Sequence, residues 1–310
     1  MTPCTRPLFR WLATLAFAVV TGLVSSASAT PLNVVASFSL LGDMTQRIGG
    51  ARIRVHTLVG EDADAHVYQP TPADAKTIAQ AALVVTNGLG FEGWIERLIK
   101  SSGYRGKVLA ASSGVHTIKR SGIGDAGRSR AAHKADADPH AWQDLVNALR
   151  YVDNIAQALA EADPAGKADY QANAAQYKDD IRALDAEIRA LLASIPASRR
   201  KVVTTHDAFS YFARAYGVEF LSPVGINTES EPSAAAVGRI IRQIRREHIS
   251  AIFLESVSDP RLLERIRQES GAKIGGVLYA DSLSKRDGPA ASYLELMRHN
   301  ARTLAEALAQ

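Results

Sequence analysis

The sequence predicts an α/β protein of two lobes, each a mainly parallel sheet flanked by helices, joined by one long rigid helix. Three observations carry this expectation. Short apolar, β-branched runs alternate with amphipathic stretches along the chain, the pattern of β-α units with largely parallel sheets. The alternation occurs in two blocks, one before residue 112 and one after residue 200. Between the blocks lies an amphipathic stretch longer than an ordinary helix. The length of 310 residues also suits two domains.

Residues 1–29 read as a cleavable export signal. Arg6 and Arg10 precede the apolar run 11–24, and Ala27-Ser28-Ala29 supplies small residues for cleavage. That run is shorter than the roughly 18 apolar residues of a spanning helix. Cys4 is the sole cysteine and lies ahead of the run, away from the cleavage point where a lipid would attach. The mature chain is therefore expected to be periplasmic, without a disulfide, a thiolate ligand or a cysteine nucleophile. The formal charge of +4 falls to about +2 when Arg6 and Arg10 leave. Such a balance gives no footprint for nucleic acid or a membrane surface.

Strands are expected at 32–37, 52–59, 82–86 and 107–110 in an N-terminal lobe spanning 30–162. Helical patterns at 40–48, 72–80 and 91–100 fill the gaps. Residues 112–137, rich in Gly, Ser, Arg and Lys, form a loop too long for an ordinary connection. The linking helix is expected over 163–195, with Asp163 as its cap, Pro164 at its first position and Pro196 ending it. Tyr170, Ala174, Tyr177, Ile181, Leu184, Ile188 and Leu191 recur in steps of four and three and fall on one stripe. About 30 residues give a helix roughly 45 Å long. It either belongs to one domain or acts as a strut that limits hinge closure and holds a ligand between nearly fixed walls. The C-terminal lobe, 196–310, is expected to carry strands at 201–205, 219–222, 251–255 and 273–279, with helices at 207–216, 232–247, 260–269 and 290–308.

All eight histidines follow the signal. Three sit where strands or loops hand over to helices, the place where α/β proteins put ligands. His66 ends the loop 60–66; alone it reads as a solvated loop residue. In Asp138-Pro139-His140 the aspartate caps a helix and the proline starts it. The positive helix end then disfavours an imidazolium and keeps His140 able to coordinate. His206 follows the run 202–205, a strand-end position comparable to that of His66. Asp281 follows the strand 275–279 and alone reads as a turn carboxylate.

Together these residues offer three imidazoles and one carboxylate, two from each lobe. Zn²⁺ accepts such a tetrahedral set. Nitrogen-rich coordination and the Irving–Williams order favour it over Mn²⁺. Four protein ligands leave no position for the water a catalytic zinc keeps, so the set is suited to holding a metal. The competing class, a periplasmic zinc hydrolase, lacks its usual signals: neither His-Glu-x-x-His nor Gly-x-Ser-x-Gly occurs.

Four segments carry a resemblance: Asp64-Ala65-His66-Val67-Tyr68-Gln69-Pro70, Asp138-Pro139-His140-Ala141-Trp142, Thr205-His206-Asp207-Ala208-Phe209 and Tyr279-Ala280-Asp281-Ser282. In this order, with the segment 225–233, the chain resembles the zinc/manganese solute-binding proteins of ABC importers. The resemblance implies that His66, His140, His206 and Asp281 bind a metal buried between two lobes. It further implies that the cargo is Zn(II), with Mn(II) the alternative, and that it passes to an inner-membrane permease. No enzymatic activity is implied, and a monomer is expected. The sequence departs from the family in two places. The 112–137 loop holds only His116 and His133 instead of a histidine-rich tract, and His66 is approached by Asp62-Ala63-Asp64-Ala65. Glu255 reads equally as a partner of the site or a strand cap, and Trp142 as packing beside the site. Glu229 and Glu231 read as solvated or as a permease contact.

Overall fold

Strand β1 (Leu32–Phe38) is buried along most of its length because it lies inside a parallel sheet. It pairs with β2 (Ile53–Val59) on one side and β3 (Leu83–Thr86) on the other. β4 (Lys107–Ala110) extends the sheet beyond β3, giving the order β2-β1-β3-β4. The C-terminal half repeats this order with β5 (Lys201–Val203), β6 (Glu219–Leu221), β7 (Ala251–Glu255) and β8 (Lys273–Leu278), arranged β6-β5-β7-β8. All of these pairings are parallel. Each sheet therefore reverses its direction of growth once, beside β1 and beside β5. Ligands of open α/β sheets bind in the crevice outside the strand ends at that reversal.

This architecture comes from a computed structural model that describes Met1 and residues 30–119, 137–226, 228 and 231–309. The export-signal expectation falls outside the described residues beyond Met1. So do Glu229, His133 and all of the 112–137 loop between 120 and 136. Among the described residues no helix is long and apolar enough to cross a membrane.

Helices α1 (Ser39–Gly49), α2 (Pro72–Ala79) and α3 (Ile95–Ser102) connect the first four strands. Helices α6 (Ser210–Tyr216), α7 (Ala234–Glu247) and α8 (Arg261–Ser270) connect the second four, and α9 (Tyr293–Ala309) follows β8. Several expected bounds move for identifiable reasons. β5 stops at Val203 because Thr205 turns its N–H to the Glu255 carboxylate (2.8 Å). The helix expected from Asp138 and Pro139 does not form there. A 3₁₀ turn spans Ala141–Gln143, and α4 (Leu145–Ala162) starts with Asp144 as the cap, accepting from the Val146 N–H at 2.9 Å.

The long helix is present as α5 (Lys167–Ala193), 27 residues and roughly 40 Å. Asp163 does not cap it with its side chain. That carboxylate accepts instead from Arg52 Nε (3.0 Å) and the Tyr170 hydroxyl (2.7 Å). The stripe runs as expected from Tyr170 to Ile188 and ends on buried Leu192, with Leu191 only half-buried. α5 lies against α1 and α4 from the first half and α9 from the second. One apolar core consequently runs through β1, α1, α4, α5, α6 and α9, while a smaller one sits under α7 and α8 around Val203, Ile252 and Leu263.

Candidate metal centre

Each of the four candidate residues is held by its own local device. In the loop after β2, Asp64 Oδ1 accepts the His66 N–H at 2.8 Å, and Trp94 Nε1 donates to Ala65 O at 2.8 Å. The Phe91 ring packs edge-on against the imidazole, with centroids 4.6 Å apart. The Asp138-Pro139-His140 turn repeats the motif. Asp138 Oδ1 accepts the His140 N–H at 2.9 Å and also lies 2.8 Å from the ring Nδ1. The turn is pinned from outside by the Tyr211 hydroxyl on Asp138 O (2.7 Å) and by Asn87 Nδ2 on Pro139 O (2.9 Å).

His206 has no aspartate two residues before it, and its anchor comes from the neighbouring strand. Glu255, the last residue of β7, accepts the His206 N–H at 3.0 Å through Oε1 and takes the ring Nδ1 with Oε2. The pair spans β5 and β7, the reversal point of the second sheet. His66 instead follows β2, beside the first reversal, so the two histidines are not topological equivalents. Asp281, after β8, is fixed through its neighbours. Ala280 O accepts from Trp142 Nε1 (3.1 Å) and Gln143 Nε2 (3.0 Å), and Leu283 O accepts the Asp62 N–H at 2.9 Å.

These devices bring four side chains from distant parts of the chain to one point. His66 Nε2 lies 3.3 Å from His140 Nε2 and 3.4 Å from Asp281 Oδ2. His140 Nε2 lies 3.5 Å from Asp281 Oδ1, and His206 Nε2 lies 3.1 Å from Oδ2. One donor atom from each falls within 4.8 Å of all the others. A tetrahedron with bonds of about 2.0–2.1 Å has edges of about 3.3 Å, which these separations bracket. His140, His206 and Asp281 are almost wholly buried, and His66 is 6 % exposed.

Neither His206 Nε2 nor either Asp281 oxygen has a hydrogen-bond partner; the 3.1 Å approach lacks the alignment of one. Buried polar atoms left in this way are costly unless an ion completes them. On His140 and His206 a carboxylate faces Nδ1, so that in the neutral ring the proton sits there and Nε2 presents its lone pair to the centre. The charges are strongly coupled. Burial pushes the Asp281 carboxyl up, but His140 and His206 outweigh it and hold the group well below the usual carboxylate range. Burial pulls His206 down, but the Glu255 and Asp281 carboxylates outweigh it and raise the imidazole well above its ordinary value. Asp138 follows Asp281: burial raises it, and His140 brings it below its ordinary value.

The four candidates read from the sequence are thus gathered at one place. Among the described residues they are the only group of metal-binding side chains so gathered. Exposed His56, the helix-ending His248 and His299, which lies 3.0 Å from Val277 O, stand elsewhere. His140 is not in a first helical turn, so Asp138 orients it where a helix dipole was expected to act. Sequence reasoning took Asp138 for a helix cap and assigned no part to Asp64. The repeated Asp-x-His spacing was the available signal, because an aspartate two residues back can accept the following backbone N–H. Glu255 is a partner of His206, and Trp142 packs within 5.3 Å of His140.

Comparison with known proteins adds four findings. Residues 34–307 match the family described as zinc-uptake complex component A, periplasmic. The iron-binding protein YfeA of Yersinia pestis is 34% identical over 313 residues, covering 98% of both chains. The manganese ABC transporter substrate-binding lipoprotein PsaA of Streptococcus pneumoniae is 33% identical, covering 93% of this chain and 92% of its own. Among solved structures, the periplasmic zinc-binding protein TroA of Treponema pallidum superposes with a TM-score of 0.83 at 28% identity, over 91% of this chain and all of that one.

Proposed function

The chain belongs to the family of metal substrate-binding proteins of ABC transporters and is not an enzyme, and from that premise we propose that it captures Zn(II) in the periplasm and delivers it to an inner-membrane permease. His66, His140, His206 and Asp281 are the proposed ligands. The convergence of three Nε2 atoms on one buried, unpartnered carboxylate carries this reading. The donor separations support zinc, because their edges suit the short bonds of a four-coordinate ion. Binding completes by coordination the buried atoms that have no hydrogen-bond partner, and four protein donors leave no position for a reactive water. The protein acts as a monomer, exported by the segment 1–29, and the boundaries 162/163 and 195/196 divide two lobes from the helix that joins them.

A second reading makes the cargo manganese, or both ions. Asp281 supports it, because Oδ2 faces His66 and His206 while Oδ1 faces His140. A carboxylate binding through both oxygens would raise the coordination number and suit a harder ion. Relatives named for iron and for manganese fall on the same side. Competitive isothermal titration with Zn(II) and Mn(II) decides between them. Zinc is expected to displace manganese, and tighter manganese binding would reverse the choice.

A further inference from the structure

The segment 225–233 stood out in the sequence yet supplies none of the four converging side chains. Its connections explain where it belongs. Val224 donates its N–H to Thr205 O at 3.3 Å, and the Asp207 N–H donates to Gly225 O at 3.3 Å, so the loop after β6 is tied on both sides of His206. Three residues further on, the Thr228 hydroxyl donates to Asp64 Oδ2 at 2.7 Å. The other oxygen of Asp64 holds the His66 N–H. Residues 224 and 225 thus hold the His206 turn in the second half, and Thr228 holds the His66 turn in the first.

Comparing the two Asp-x-His turns isolates what Thr228 does. Both aspartates accept the backbone N–H of the histidine two residues on. Asp138 also grips the ring of its own histidine, and its Oδ2 has no partner. Asp64 turns its second oxygen to Thr228. Tyr211 and Asn87 reach the His140 turn through backbone carbonyls, whereas in the His66 turn a hydroxyl from the opposite half binds the aspartate side chain itself. Of the converging residues, His66 is also the most exposed. We propose that Thr228 is a positioning residue that holds the His66 turn through Asp64 and thereby sets the rate at which the metal is released. The proposal rests on the ligand reading above. A hydroxyl donating to a carboxylate is a charge-assisted bond, and it forms only while Thr228 lies against the His66 turn.

The test loads the full chain with Zn(II), mixes it with excess chromogenic chelator in a stopped-flow instrument and follows release. Thr228→Val keeps the side-chain shape and removes the donor; Thr228→Ser keeps the donor. Release from T228V is expected to be about tenfold faster than from the unmodified chain, and release from T228S within about twofold of it. In a Asp64→Ala background T228V should add nothing further, because the two act through one bond. Thermal midpoints of the metal-free variants report whether each still folds. Equal release from T228V and the unmodified chain, or equally fast release from T228S and T228V, overturns the positioning role while leaving the ligands standing. Failure of the unmodified chain to bind zinc or manganese overturns the ligand reading itself.

Discussion

The division of labour among the three imidazoles rests on what stands behind each ring. His206 has Glu255 on its far nitrogen and Asp281 before its near one, both buried. Replacing His206 by Ala removes a proposed ligand, and zinc affinity should fall by more than about 100-fold. Replacing Glu255 by Gln should cost about 10–100-fold, the usual effect of a partner behind a ligand. Competition titrations measure both, and an unchanged affinity in H206A would remove that residue from the ligand set. The proton on His206 gives an independent handle. Its value is raised because the two carboxylates outweigh burial, so the metal-free ring retains its proton above the ordinary histidine value of about 6.5. Metal must expel that proton. Affinity should accordingly weaken as pH falls, with the loss beginning above that value, and binding at neutral pH should release a proton. Calorimetry in buffers of differing ionisation heat reads the release; a heat independent of buffer would contradict it.

At the scale of elements, α5 does more than span a gap. Its stripe is buried from end to end, and α5 packs against α1, α4 and α9. Ile181, with 1 % of its surface exposed, lies on that stripe. Ile181→Ala should lower stability by about 2–5 kcal/mol, the range for emptying a buried aliphatic position, as read by chemical denaturation. Because the larger core passes through α5 into both halves, the loss should appear as a shift of one unfolding transition. A separate early transition confined to one half would show that the helix is a bare strut.

Over the whole molecule, this shared core limits how far the halves can part. The Trp142 and Gln143 side chains from the first half hold Ala280 of the second, and Asp62 holds Leu283. Capture should therefore proceed with small adjustments near His66 rather than by wide closure. Small-angle scattering curves with and without zinc are expected to superpose, and a fall in radius of gyration like that of hinged two-domain proteins would contradict the shared core. Metal should still stabilise strongly. At 1,000 times the dissociation constant the gain is about 4 kcal/mol, visible as a rise in thermal midpoint.

The two blocks of strands and the long helix were legible in the sequence, which also singled out four candidate ligands that the fold gathers at one point. Each of these follows from local information: alternation of apolar runs, a stripe in steps of three and four, and polar side chains placed at strand ends. It misread the Asp138 turn because Asp-Pro at a helix start and Asp-x-His in a turn present the same letters, and only the contacts of the carboxylate separate them. The identical order of the two sheets, the reach of Glu255 from β7 to His206 and the tie of Thr228 to Asp64 were decided by tertiary structure. The last two pairings join residues 49 and 164 positions apart. No local periodicity encodes them, because they arise where parallel strands end side by side and bring distant loops together.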